Sequence, residues 1–237
     1  MAADIERALK YPLNFKPLFV LGILFGIMFI ALILPVFVLE IRMEQWVMSP
    51  GILTPLLFYS LFVLAALIIM GVFFNGYLVN VSRSIIAGDL TKAPGLTVMG
   101  SIFTDGLKFI VVCIVYFIPP AIALLLAVFI FKLWGIFFMF LLFPLFYVFH
   151  LAGAHLACTN SLKKALDIPH IYSLIFKNLK GFTLSFIIYL VITFVFFIGS
   201  VLIVTYPFVI IAAYVAGQYI FTIFYMEASG LIAENRI

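Results

Sequence analysis

Residues 75–108 read NGYLVNVSRSIIAGDLTKAPGLTVMGSIFTDGLK, and the position of this stretch between two long apolar runs decides the fold. It holds the densest set of polar, Gly and Pro side chains in the chain and marks a junction between one membrane crossing and the next. Around it, 67% of the 237 residues are hydrophobic and 9% are charged, with a mean hydropathy of +1.36. A soluble domain carries roughly 25% charged residues, so there are too few charges here to coat a water-facing surface. In lipid, backbone polar groups must be satisfied internally, and only helices or closed barrels achieve that. The apolar runs are continuous rather than alternating, which favours helices over a barrel. The reading is an all-α, polytopic transmembrane bundle: six spans forming three hairpins, joined by cytoplasmic amphipathic helices, in one membrane domain over residues 1–237.

On the N-terminal side of the junction, residues 52–77 form one apolar run, and residues 17–39 form another without a charge. Each is long enough to cross a core of about 30 Å at 1.5 Å per residue. Gly22 and Gly26 form a GxxxG that suits close helix packing. Within the junction, Leu78, Val81 and Ile85 share one helical face while Asn80, Arg83 and Ser84 share the other, the pattern of a helix lying in the membrane interface. Gly88-Asp89 ends that piece, Ala93-Pro94-Gly95 turns the chain, and a second amphipathic piece puts Met99, Ile102, Phe103 and Leu107 on one face. The third span, 109–131, contains Pro119-Pro120, which removes two helical hydrogen bonds and predicts a kink. A tight turn at 132–135 leads to a fourth span ending near residue 157, with Pro144 inside it. Residues 181–226 carry no charge and are long enough for two spans, turning at Thr205-Tyr206-Pro207. Ala212, Ala216 and Gly217 give the last of these a small-residue face.

The charges assign the sides. Alternating the links places eleven cations on one side: Arg7, Lys10, Lys16, Arg83, Lys92, Lys108, Lys163, Lys164, Lys177, Lys180 and Arg236. Only Arg42 and Lys132 fall on the other. By the positive-inside rule, both termini are cytoplasmic in a multi-pass protein of the cell membrane. The entries to the odd-numbered spans also resemble one another, as in Asn14-Phe15-Lys16, Gly106-Leu107-Lys108 and Asn178-Leu179-Lys180. So do the exits at 84–89, 162–167 and 230–235, which suggests parallel internal repeats over 1–90, 91–167 and 168–237.

Gly76-Tyr77, Arg83, Gly88-Asp89, Pro94, Phe103, Asp105-Gly106-Leu107-Lys108 and Ile118-Pro119-Pro120 form a block that resembles a prokaryotic family of multi-pass membrane proteins of unknown function, common in archaea. The resemblance covers most of the chain, with its specific signal over residues 76–120. It implies a polytopic helical fold and supplies no activity. More loosely, the three-hairpin layout is similar to the membrane-only module attached to some bacterial glycerophosphodiester phosphodiesterases, without their catalytic domain.

Two side-chain groups carry candidate chemistry. Asn75, Tyr77, Asn80, Arg83, Asp89, Asp105 and Lys108 could form a polar ligand site beneath the bundle. There Arg83 either meets a phosphate head group or pairs with Asp89 or Asp105 to fix the link. His150, His155 and Cys158 fall at the cytoplasmic end of the fourth span. His155 and Cys158 share a helix face and are weak metal candidates, while His150 points elsewhere, and the plainer reading is interfacial histidines bonded to carbonyls or water. No acid or base is placed at mid-depth in any span, which argues against proton coupling. Cys113 and Cys158 form no disulfide framework. No P-loop, HExxH, GxSxG or dinucleotide fingerprint is present, and no clustered basic recognition motif points to nucleic acid. The expectation is a non-enzymatic module without a cofactor. Its partners are membrane lipid head groups, a membrane protein or a second copy of the chain. The alternative is a transporter or channel for an uncharged or lipid-like solute, followed by a membrane metalloenzyme.

Overall fold

The computed structural model describes residues 5–14, 20–31, 33, 50–96, 99–132, 143–199 and 205–231. Among them the chain is all helical, without strands. Its helices are α1 (Ile5–Leu13), α2 (Val20–Ala31), α3 (Pro50–Ile86), α4 (Met99–Phe131), α5 (Val148–Thr159), α6 (Leu162–Ala165), α7 (Ile168–Lys177), α8 (Leu179–Gly199) and α9 (Tyr206–Ala228). A 3-10 turn, Phe143–Tyr147, leads into α5. Four helices are long and apolar enough to cross a membrane, namely α3, α4, α8 and α9; α2 and the Phe143–Thr159 segment are shorter apolar pieces. The turn at 133–135, the link at 40–49, the ends of the first span at 17–19 and 34–39, Phe15-Lys16 and the exit motif at 232–235 lie outside the described residues.

The helices pack around α9. It is the least apolar of the four long helices and the most buried of them, as expected where small and polar residues face protein while bulkier apolar ones face lipid. Its Val215, Ala216, Gln218, Ile220, Phe221 and Thr222 are completely or almost completely enclosed, with α1, α3, α5 and α8 against them. Gly22 of α2 meets the Phe208 ring and Gly26 meets Pro207, so the GxxxG pair faces the start of α9.

The α3–α4 crossing depends on two glycines. A Cβ at Gly76 would overlap the Ile102 carbonyl oxygen, and one at Gly106 would overlap the Val72 carbonyl oxygen. Each glycine lets the opposing backbone come into direct contact. This crossing corrects the expected interfacial helices. Residues 77–86 are the last turns of α3, which runs unbroken for 37 residues. Leu78, Val81 and Ile85 are buried against protein rather than laid on lipid. On α4, Gly106 must face α3, and it turns Ile102, Asp105 and Phe109 inward with it, leaving Met99 and Leu107 exposed. The helix continues through Pro119-Pro120. Gly88, at φ +99°, closes α3, and Asp167 caps α7 by accepting from the His170 amide at 3.1 Å, with Pro169 in the first turn.

Candidate functional site

The candidate ligand residues from the sequence separate into three places. At the end of α3, Arg83 Nη1 donates to Asp105 Oδ2 of α4 at 2.5 Å, while Nη2 donates to Asn160 Oδ1 at 3.2 Å. Lys108 Nζ stands 3.7 Å from the other Asp105 oxygen. Asp105 is only 4% exposed, so its charge is held by two cations in a partly desolvated site, and Arg83, Asp105 and Asn160 clamp α3, α4 and the end of α5 together. Of the two pairings open to Arg83, this is the one with Asp105.

Asp89 is elsewhere. Its Oδ1 accepts from the amides of Thr91 at 3.3 Å and Lys92 at 3.2 Å, closing the loop after α3 as an Asx turn. The nearby Tyr11 of α1 stacks at a tilt on Tyr219 at 4.7 Å. Burial, then Asp89 and Tyr219, pushes the Tyr11 hydroxyl well above the usual phenol range. Tyr77 is fully buried and Asn80 half-buried in the last turns of α3.

Asn75 belongs to an open-sided cavity of about 1120 Å³ lined by α2, α3, α4, the Phe143–Tyr147 turn with the start of α5, and α9. Its walls are mostly Phe, Ile and Leu, with Asn75, Cys113 and the rings of Tyr147, Tyr206 and Tyr214 among them. Asn75 donates one amide hydrogen to the Gly71 carbonyl at 2.8 Å. Gly71 also lines the cavity, and a Cβ there would meet nothing within 4 Å.

A fourth place was missed from the sequence: a polar seam between α3, α5 and α9. His150 Nδ1 and Gln218 Oε1 are 2.8 Å apart, and Gln218 Nε2 donates to Ser82 Oγ at 2.6 Å and to the His150 carbonyl at 3.1 Å. A carbonyl only accepts, so the amide orientation of Gln218 is fixed and His150 must carry its proton on Nδ1. Thr222 donates to the Gln218 carbonyl at 2.6 Å and lies 2.9 Å from Ser82, which leaves Ser82 as the donor between them. All four side chains are fully buried. His150 is therefore not at the end of its span. It sits beside the middle of α9, bonded to a side chain and ringed by Tyr147, Tyr189 and Phe221. The sequence did carry a signal, because Gln218 is the single carboxamide in the uncharged run 181–226 and stands four residues before Thr222.

Near the C-terminal end of α5, His155 Nδ1 bonds the Tyr225 hydroxyl at 2.9 Å, and its ring lies 5.0 Å from that of His170. Cys158 is exposed, and among the described residues no group of three His, Cys, Asp or Glu side chains is placed to hold a metal. His155 thus takes a tyrosine partner rather than a carbonyl.

Residues 60–206 match a protein family described as a protein of unknown function, DUF4013. No curated protein and no solved structure matches the chain. The looser likeness to the phosphodiesterase membrane module and the archaeal association find no counterpart in these comparisons.

Proposed function

The chain belongs to the DUF4013 family, and we propose that it is a non-enzymatic, multi-pass membrane module that holds a lipid-like molecule between its helices. The observation that carries this reading is the cavity of about 1120 Å³ with apolar walls and a few polar groups. Ligand sites typically have this composition, in volumes of about 300–1,000 Å³. In the proposed arrangement, α2 and the segment ending in α5 join α3, α4, α8 and α9 as six spans in three repeated hairpins of a single domain. Both termini lie on the cytoplasmic side of the cell membrane, supported by the eleven-to-two distribution of cations.

Head-group contact moves away from Arg83, which Asp105 occupies, to the exposed lysines 163, 164, 177 and 180 beside α6 and α7. Each basic residue near an anionic leaflet contributes about 1 kcal/mol. Passage of an uncharged, lipid-like solute through the cavity is the second reading, favoured by the same apolar walls.

Native mass spectrometry from nanodiscs tests the first reading and also reports any partner or second copy. Purified protein should retain a lipid-mass adduct, and Gly71→Phe, which fills the cavity from a position with open space, should release it. An adduct unchanged by Gly71→Phe would refute a cavity site. Solute flux into proteoliposomes, abolished by the same substitution, would favour transport over holding.

A further inference from the structure

The cavity has a direction. On α4 it runs from Cys113 to Leu124, on α9 from Tyr214 back to Tyr206, and on α3 from Asn75 back to Leu67. Eleven residues of helix correspond to about 16 Å. Asn75, Cys113 and Tyr214 therefore lie together at the end nearer the Arg83–Asp105 clamp, and Leu67, Leu124 and Tyr206 at the other. The two ends differ in what they offer a ligand. Asn75 spends one N–H on Gly71; among the described residues its Oδ1 accepts nothing and its second N–H donates to nothing. Phe74 stands edge-on to Tyr214 at 6.0 Å beside it. Asn75 is half-buried, and where apolar walls or lipid replace water around it, these free functions cost free energy unless something polar meets them. Among the described residues, none that lines the cavity is charged.

We infer that the cavity binds an uncharged, hydroxyl-bearing lipid, with the hydroxyl at Asn75 and the hydrocarbon along the Phe- and Ile-lined length toward Tyr206. The inference rests on the cavity reading above and adds the chemistry of the ligand. A hydroxyl both donates and accepts, matching the two free functions of Asn75. A phosphate would bring a charge against walls that hold no cation among the described residues.

Two probes separate the possibilities, 1,2-dioleoylglycerol and dioleoylphosphatidic acid, which share their chains and differ in hydroxyl against phosphate. Each is added to delipidated protein in nanodiscs and retention is read by native mass spectrometry. Dioleoylglycerol should be retained at least tenfold better. Asn75→Leu, similar in size, should erase that preference, and Gly71→Phe should abolish retention of dioleoylglycerol. Equal retention of the two probes by the unaltered protein, or an unchanged preference in Asn75→Leu, overturns the hydroxyl assignment while leaving the cavity intact. Retention unaffected by Gly71→Phe overturns the cavity itself. Gly71→Leu, a smaller filling, repeats that arm if the Phe variant does not fold, which its thermal transition reports.

Discussion

Replacing Gln218 by Leu tests the polar seam at its centre. The volumes are similar, so the change opens little space, and its effect comes from hydrogen bonds. Gln218 loses its bonds to His150 Nδ1 at 2.8 Å, Ser82 Oγ at 2.6 Å and the His150 carbonyl at 3.1 Å. Interhelical bonds in membrane proteins average about 0.6 kcal/mol and reach about 1.7, so the loss should be about 2 kcal/mol, with a ceiling near 5. The loss is not shared evenly. Ser82 keeps Thr222 at 2.9 Å, and the stranded group is the His150 N–H, enclosed on every side. Removing that group as well, in Gln218→Leu/His150→Leu, should recover part of the loss, because two apolar partners leave nothing unsatisfied. The assay is a double-mutant cycle on unfolding equilibria in mixed micelles, followed by circular dichroism. If Gln218→Leu costs less than about 0.5 kcal/mol, or if the double variant costs the full sum of the singles, the seam does not act as one hydrogen-bonded unit.

Three further outcomes follow from the geometry. Gly76→Ala and Gly106→Ala should each lower the thermal midpoint strongly, because the added methyl overlaps a backbone carbonyl that cannot turn aside. Gly71→Ala, facing open space, should be neutral or stabilising by about 0.5–1 kcal/mol through helix propensity. Arg83→Ala leaves the buried Asp105 carboxylate with Lys108 alone at 3.7 Å. Breaking a buried pair costs about 3–5 kcal/mol, and the 32% exposure of the Arg83 side chain discounts this to about 2; Arg83→Ala/Asp105→Asn should recover most of it in the same unfolding assay. For Tyr11, the folded phenol holds its proton above the pH of about 10 at which the unfolded one releases it. The folded state then binds more protons, and stability falls as pH rises from about 10; Tyr11→Phe should make that alkaline decline shallower in pH-dependent melting curves.

Composition and continuous apolar runs were enough to read helices in lipid, because charge scarcity leaves few other solutions. The two glycines that set the α3–α4 crossing, Gly76 and Gly106, both lay within the junction stretch, and the Arg83–Asp105 pairing was one of two options that could be stated in advance. What the pattern could not supply was the identity of the apolar partner. Leu78, Val81 and Ile85 on one face announce a two-sided helix, but the same periodicity serves a helix lying on lipid and one buried against α5 and α9. His150 was misplaced for a related reason. Counting spans from charged links fixes the ends of a segment, whereas its depth depends on the Phe143–Tyr147 turn and on which residue of α9 it meets. Asn75 was named as polar, yet its place in a cavity required five separate chain segments to be brought together.

The enclosure of α9 also constrains the order of events during synthesis. It is the last of the described long helices in chain order, yet it fills the centre that the earlier ones surround. Ser82 and Thr222 are 140 residues apart, which at about 5–20 residues per second is a wait of roughly 7–28 s. Through that interval α3 must persist in the bilayer with its future contact face open to lipid. The Ser82 hydroxyl has an interim acceptor in its own helix, the Leu78 carbonyl at 3.4 Å, so α3 can be inserted as a self-sufficient crossing and committed to the bundle only when α9 arrives. Closure around α9 is thus a late step among the described helices, and ribosome stalling before residue 206 would leave α3, α5 and α8 without the helix they pack against.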